Sequence, residues 1–217
     1  MGRSPEAVTL LAATKTRTIP EMIEVVEAGV AHLGENYVQE LVAKKEQLDA
    51  AGYRHVSWHA IGHVQRNKVR YIAPFCTLIH SLDSLRLAQE IDGRAAALGR
   101  VQPVLIEVNV TGEQTKFGVA PGEVAPLARQ VAELAHLELQ GLMTMPPYSD
   151  DSEASRPHFQ KLRCLAEQLR ESDLPPAAMH HLSMGMSGDY EVAVEEGATL
   201  VRLGTVLFGP RTRSDES

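Results

Sequence analysis

The sequence predicts an α/β protein, a single (β/α)8 barrel of the TIM type. Short apolar runs rich in Val, Ile and Leu alternate with segments of helical periodicity along the whole 217-residue chain. Most runs are too short for helices, and several lack the polar–apolar alternation of half-exposed strands. Strands buried on both faces read this way. Strict βα order implies a parallel sheet with helical crossovers, and eight units suggest that it closes. An open doubly wound sheet is the alternative, but no GxGxxG turn follows the first run.

The first strand is read at residues 8–13. A helix over 20–28 follows, with Pro20 at an early position and Gly29 at its end. The second strand, 31–34, leads to a helix at 37–48 with apolar residues three and four apart. After the third strand, 56–61, Gln65, Arg66 and Asn67 open a helix near the rim. The fourth strand, 77–81, precedes a helix at 85–98, for which Ser84 is the expected N-cap. The fifth strand, 103–110, pairs with a helix at 121–134, and the sixth, 137–142, with a helix at 152–170. The seventh, 181–183, leads to a short helix at 190–196 that stops at Gly197, and the eighth spans 200–203. The Pro-rich stretches 145–148 and 174–177 read as loops. One domain thus covers residues 1–211, with a disordered tail at 212–217. Internal repeats, low-complexity tracts and interdomain linkers are lacking.

Composition narrows the function classes. Hydrophobic residues make up 44% and charged residues 23%, enough apolar side chains for a real core. The apolar runs fall short of the roughly 20 residues a membrane-spanning helix needs, and the short polar start is unlike a secretory signal. Cys76 and Cys164 stand apart without metal-like spacing, so reduced thiols and a cytoplasmic setting are expected. The net charge of −7 argues against nucleic acid as a partner. Arg66, Lys68 and Arg70 form the one basic cluster, read as a solvated helix face.

In such barrels the active site gathers at the C-terminal ends of the strands. Lys15, directly past the first strand, would stand at the rim of the mouth. Partial desolvation there favours the free amine that attacks aldehydes; the plain alternative is a surface lysine. Past the second strand, Asn36 and Tyr37 can place polar groups over a ligand ring, unless Asn36 merely caps the next helix. His59 could face the mouth, but a hydrogen-bonded core histidine is favoured. Lys116, in the polar loop 111–118, either adds positive charge to the site or is solvated. The turns after strands seven and eight, with Ser183, Gly185, Ser187, Gly188, Gly204 and Thr205, suit a phosphate. Gly allows close backbone approach, hydroxyls donate, and a helix start offers free N–H groups. Arg202 is either paired with a strand carboxylate such as Glu107 or donates to a ligand's ring nitrogen. An amine at one rim and a phosphate cradle at the other point to a phosphorylated carbonyl ligand. That ligand is either a sugar-phosphate aldehyde or pyridoxal 5′-phosphate (PLP).

Five segments in order, AATKT at 12–16, GENYVQE at 34–40, WHAIGHVQRNK at 58–68, LSMGMSGD at 182–189 and VRLGT at 201–205, resemble the pyridoxal phosphate homeostasis protein family. The similarity runs from about residue 8 to residue 211. It implies a fold-type III barrel, related to the N-terminal barrel of alanine racemase, with PLP held covalently as a Schiff base on Lys15. It implies that Ser187, Gly204 and Thr205 hold the phosphate, with Ser183 a further candidate. Asn36 would lie beside the cofactor and Arg202 would face the pyridine nitrogen. Vitamin B6 homeostasis would be the role, with no secure enzymatic activity. Members of the family carry a further N-terminal helix before the segment matching residues 2–5. The bottom of this barrel is therefore expected to be less well covered.

Three functions compete. The favoured one is a PLP carrier, a monomer that meets apo-enzymes transiently. An arginine at the ring nitrogen keeps that nitrogen unprotonated and weakens the cofactor as an electron sink. Little chain remains here for the second domain from which alanine racemase draws its catalytic tyrosine. A racemase-like enzyme, with His59 or Lys116 as its second acid/base, is the runner-up. A cofactor-free Schiff-base aldolase is the third.

Overall fold

The strands and helices follow the apolar punctuation closely. In the computed structural model, which describes residues 3–113, 116–175 and 178–210, eight parallel strands close in the order β1-β2-β3-β4-β5-β6-β7-β8. They are β1 (Thr9–Ala13), β2 (His32–Glu35), β3 (Ser57–Ala60), β4 (Leu78–Leu82), β5 (Gln102–Glu107), β6 (Leu137–Met143), β7 (His181–Ser183) and β8 (Leu200–Leu203). The helices between and after them are α1 (Ile19–Glu27), α2 (Val38–Ala50), α3 (Val69–Ile72), α4 (Leu85–Ala97), α5 (Pro121–Ala132), α6 (Arg156–Arg170), α7 (Tyr190–Glu195) and α8 (Thr205–Phe208). Local chemistry sets several starts. The Glu21 carboxylate accepts from the Thr18 backbone N–H at 2.7 Å at the head of α1, and Ser84 Oγ accepts from Leu87 N–H at 3.3 Å at the head of α4. The expected tail at 212–217 lies outside the described residues.

Two elements differ from their sequence reading. β5 stops at Glu107, although Val108 and Val110 extend its β-branched run. Val108 instead bridges Val119, and Gly118, at φ +98°, sits so close that a Cβ there would lie 2.9 Å from Asn109 N. The basic cluster is a 3-10 turn at Arg66–Lys68 followed by the single turn of α3. Arg66 and Arg70 are exposed, as a solvated face requires.

Apolar side chains form two separate layers. Leu33, Trp58, Ile79, Val104, Leu142, Leu182 and Val201 from the strands pack with helix residues such as Met22, Leu41, Ile91 and Phe159. One position along, Leu78, Leu105, Met143 and Leu200 form their own cluster inside the barrel. The same inward register carries polar groups. His32, His59, His80, Glu107, Ser183 and Arg202 alternate with the outer-layer residues, and all but His32 are buried. Among the described residues, no helix is long and apolar enough to cross a membrane.

Candidate functional site

Barrel closure makes β1 and β8 neighbours, with Leu11 beside Arg202 and Ala12 beside Leu203. Lys15, just past β1, and Gly204 and Thr205, just past β8, therefore occupy adjacent positions on one rim. Both open into a cleft of about 460 Å³, within the usual range for small-molecule sites. Asn36, Ser187 and Arg202 line the same cleft. Six of the seven residues singled out from the sequence are thus brought together.

The segment around Lys15 is held from below and from the side. Thr14 Oγ1 donates to Gly34 O at 3.1 Å and to the Glu35 carboxylate at 2.9 Å. Lys44, reaching over from α2, donates to Thr14 O at 2.7 Å and pairs with the buried Glu35 carboxylate. Thr16 takes a positive φ of 65°, a strained choice for a β-branched residue, and its hydroxyl oxygen is buried without a hydrogen bond. Arg17 then donates to Gly209 O at 2.7 Å, tying this loop to the chain just past α8. The Lys15 ammonium stands 5.4 Å from the centre of the Tyr37 ring.

The neighbouring wall, past β7 and β8, is built on small residues. Ser187 Oγ accepts from Gly204 N–H at 3.1 Å and from Val206 N–H at 3.3 Å. These N–H groups converge on one oxygen, the geometry an anionic oxygen needs. Asp189 fixes the turn, accepting from Met186 N–H at 2.7 Å and from the Ser155 hydroxyl at 2.7 Å. Gly185, at φ +93°, leaves no room for a side chain: a Cβ would lie 2.5 Å from Ala193 Cβ.

Arg202 forms the inner wall. Its guanidinium donates to Ser183 Oγ at 2.6 Å and to Thr144 O at 3.0 Å, leaving further N–H groups for the cleft. No ion pair with Glu107 forms among the described residues. Burial pulls the guanidinium down to about 10, against the charges of Glu107 and Asp189, so it stays cationic at neutral pH. Burial, then Asp83, pushes the Glu107 carboxyl up to about 7, with Arg202 opposing.

Some expected residues sit elsewhere. Ser183 is fully buried behind Arg202, outside the cleft lining. Asn36 does not cap α2. Tyr37 holds that position, and a Cβ on Gly62 would meet Asn36 O at 2.4 Å, so Gly62 sets how far Asn36 leans. His59 is buried between two other histidines, away from the mouth. Lys116 pairs with Glu113 at 3.1 Å and is not part of the lining. Its loop neighbours 114 and 115 lie outside the described residues. Met145, Pro147, Tyr148 and Ser149 line the cleft but were read only as loop. The Pro-rich composition marked the turn and gave no sign that it folds over the mouth.

The sequence profile described as "Alanine racemase, N-terminal domain" matches residues 3–212. The pyridoxal phosphate homeostasis protein of Aquifex aeolicus is 49% identical over 212 residues, 97% of this chain and 90% of that protein. The chain belongs to the pyridoxal phosphate homeostasis protein family. The Escherichia coli K12 member is 40% identical over 214 residues, 98% of this chain and 90% of that protein. A solved structure, PipY of Synechococcus elongatus PCC7942 with PLP bound, superposes with a TM-score of 0.85 at 33% identity, covering 95% of both chains. Alanine racemase of Clostridium difficile, at 16% identity and a TM-score of 0.76, shares the barrel fold over 98% of this chain and 55% of its own.

Proposed function

We propose that this chain holds PLP as a Schiff base on Lys15 and serves vitamin B6 homeostasis as a cofactor carrier. One observation carries the reading: Lys15 and the Gly204–Thr205 turn end hydrogen-bonded neighbouring strands and open into one cleft, with the Arg202 cation at its inner wall. The names of its relatives and the PLP-bound PipY structure support the ligand class. The donor set fits the group, with an amine for an aldehyde, convergent N–H groups for a phosphate, and a cationic donor for a ring nitrogen.

When bound, PLP supplies the aldehyde. Lys15 would hold it there through its amine. Ser187, Gly204 and Thr205 would hold the phosphate oxygens, which would take over the Gly204 and Val206 N–H groups from Ser187 Oγ. Asn36 lies beside the ring. Arg202 would donate to the pyridine nitrogen and keep it unprotonated, which would limit the cofactor as an electron sink. The lip of the cleft is exposed at Met145 (46%) and Tyr148 (84%), which suits loading from water and release to an apo-enzyme. Residues 1–211 form the binding unit, which acts as a cytoplasmic monomer.

The phosphate cradle makes a graded prediction. Cofactor-free protein titrated with PLP and with phosphate-free pyridoxal should bind pyridoxal at least about a hundredfold more weakly, since two charge-assisted hydrogen bonds are lost at ~1.5–3 kcal/mol each. Equal affinities would contradict the cradle. Incubation of the loaded protein with single-enantiomer amino acids should leave their configuration intact. Sustained racemisation that disappears in Lys15→Ala would replace the carrier reading with a racemase.

A further inference from the structure

The barrel interior holds a continuous polar line. His32 Nδ1 lies 3.0 Å from His59 Nε2, and His59 Nδ1 lies 2.9 Å from His80 Nε2. His80 Nδ1 lies 2.9 Å from Ser183 Oγ, which accepts from Arg202 at 2.6 Å. The rings meet edge to face, with centroids 5.2 Å apart at both steps. The line starts at the first residue of β2, at the end of the barrel away from the cleft, and finishes at the wall of the cleft. Their nitrogens point at one another rather than converging, and no metal-binding cluster occurs among the described residues.

Direction follows from donor counting. Burial keeps His59 and His80 neutral, so each ring has one donor and one acceptor nitrogen. The tautomers must then run the same way along the line. Arginine only donates, so it occupies one lone pair of Ser183 Oγ. If His80 also donated to that oxygen, the serine hydrogen would need another acceptor, and none is within reach among the described residues. Ser183 therefore donates to His80 Nδ1. His80 Nε2–H donates to His59, and His59 Nε2–H donates to His32. A buried polar line is costly unless fully paired, and this one is.

We propose that Arg202 is positioned from the far end of the barrel by a hydrogen-bond chain of fixed direction, Arg202 to Ser183 to His80 to His59 to His32. Ser183 and the three histidines are positioning residues for Arg202. They contribute no charge of their own, so Arg202 meets the ligand as a cationic donor and selects an acceptor atom. The chain rests on the reading above only for the identity of that ligand.

Nitrogen-15 NMR of the histidine rings in cofactor-free wild-type protein tests the direction. The expected result is the Nε2–H tautomer at His32, His59 and His80. An Nδ1–H tautomer at any of them overturns the proposal. Ser183→Ala cuts the link to Arg202, so the tautomer mixture should change at His32, three links away, while His63, whose Nδ1 lies 3.2 Å from Asp83 outside the line, keeps its own. PLP affinity should fall about tenfold in Ser183→Ala for the lost support of a charged donor, and recover in Ser183→Thr. An unchanged His32 in folded Ser183→Ala also overturns the proposal. If that variant does not fold, the wild-type tautomers decide. Wild-type protein with the expected tautomers but no uptake of PLP supports the chain and removes only the cofactor reading.

Discussion

Lys15→Ala is expected to give a folded, colourless protein whose retention of PLP falls by at least about two orders of magnitude, ~2.8 kcal/mol. The effect on binding is large because the proposed covalent link is lost. The effect on folding is small. Lys15 is half-buried, and its contact with the Tyr37 ring at 5.4 Å is of a kind that contributes ~0.5–1 kcal/mol at an exposed site. Lys15→Arg separates the two effects further, since it keeps the cation and the ring contact but forms no stable Schiff base. Absorbance of the purified variants, with thermal melts alongside, checks both halves. A yellow Lys15→Ala protein would place the adduct on another lysine.

The second large effect is acid sensitivity. Burial lowers the folded-state value of His59 from 6.5 to about 3 and holds His80 well below 6.5, with neighbouring histidines adding to both shifts. Below pH 6.5 the unfolded chain binds protons that these folded rings refuse. Stability is therefore fully present above that pH and is lost as pH falls, by ~1.4 kcal/mol per unit for each histidine. Glu107 acts in the opposite sense. Its folded value near 7 lies above the ordinary 4.5, so between those values the folded state gains a proton that the unfolded state lacks. From pH 6.5 to 4.5 it offsets the loss at His59, and the loss from the buried His80 remains. Below 4.5 the offset ends and the slope steepens. Urea midpoints at successive pH values measure this directly. A flat or rising profile from pH 6.5 to 4.5 would mean that the interior histidines are charged or solvated in the native state.

The local signals were legible and the long-range ones were not. Strand and helix order follows apolar spacing and caps, so Lys15 could be placed past β1, and Gly204 past β8, from short windows alone. Their adjacency comes from the pairing of the first strand with the last, which no local pattern encodes. The family resemblance supplied that link. β5 was read too long because Val108 and Val110 continue its composition, whereas its end is set by contact with the distant Gly118. Ser183 lies on the inward register of β7, behind Arg202 and outside the cleft lining, and its hydroxyl looked the same in sequence as that of Ser187. The histidine line was hidden for a related reason. His32, His59 and His80 are scattered along the chain and meet only when the strands' inward positions are superposed.

The central claim is that the amine past the first strand and the turn past the last grip opposite ends of one cofactor. Borohydride reduction of wild-type protein loaded with PLP, followed by peptide mapping, tests it most directly. The account predicts a single reduced pyridoxyl group on the peptide that carries Lys15. A label on Lys44, Lys68 or Lys116, or no label at all, would contradict it.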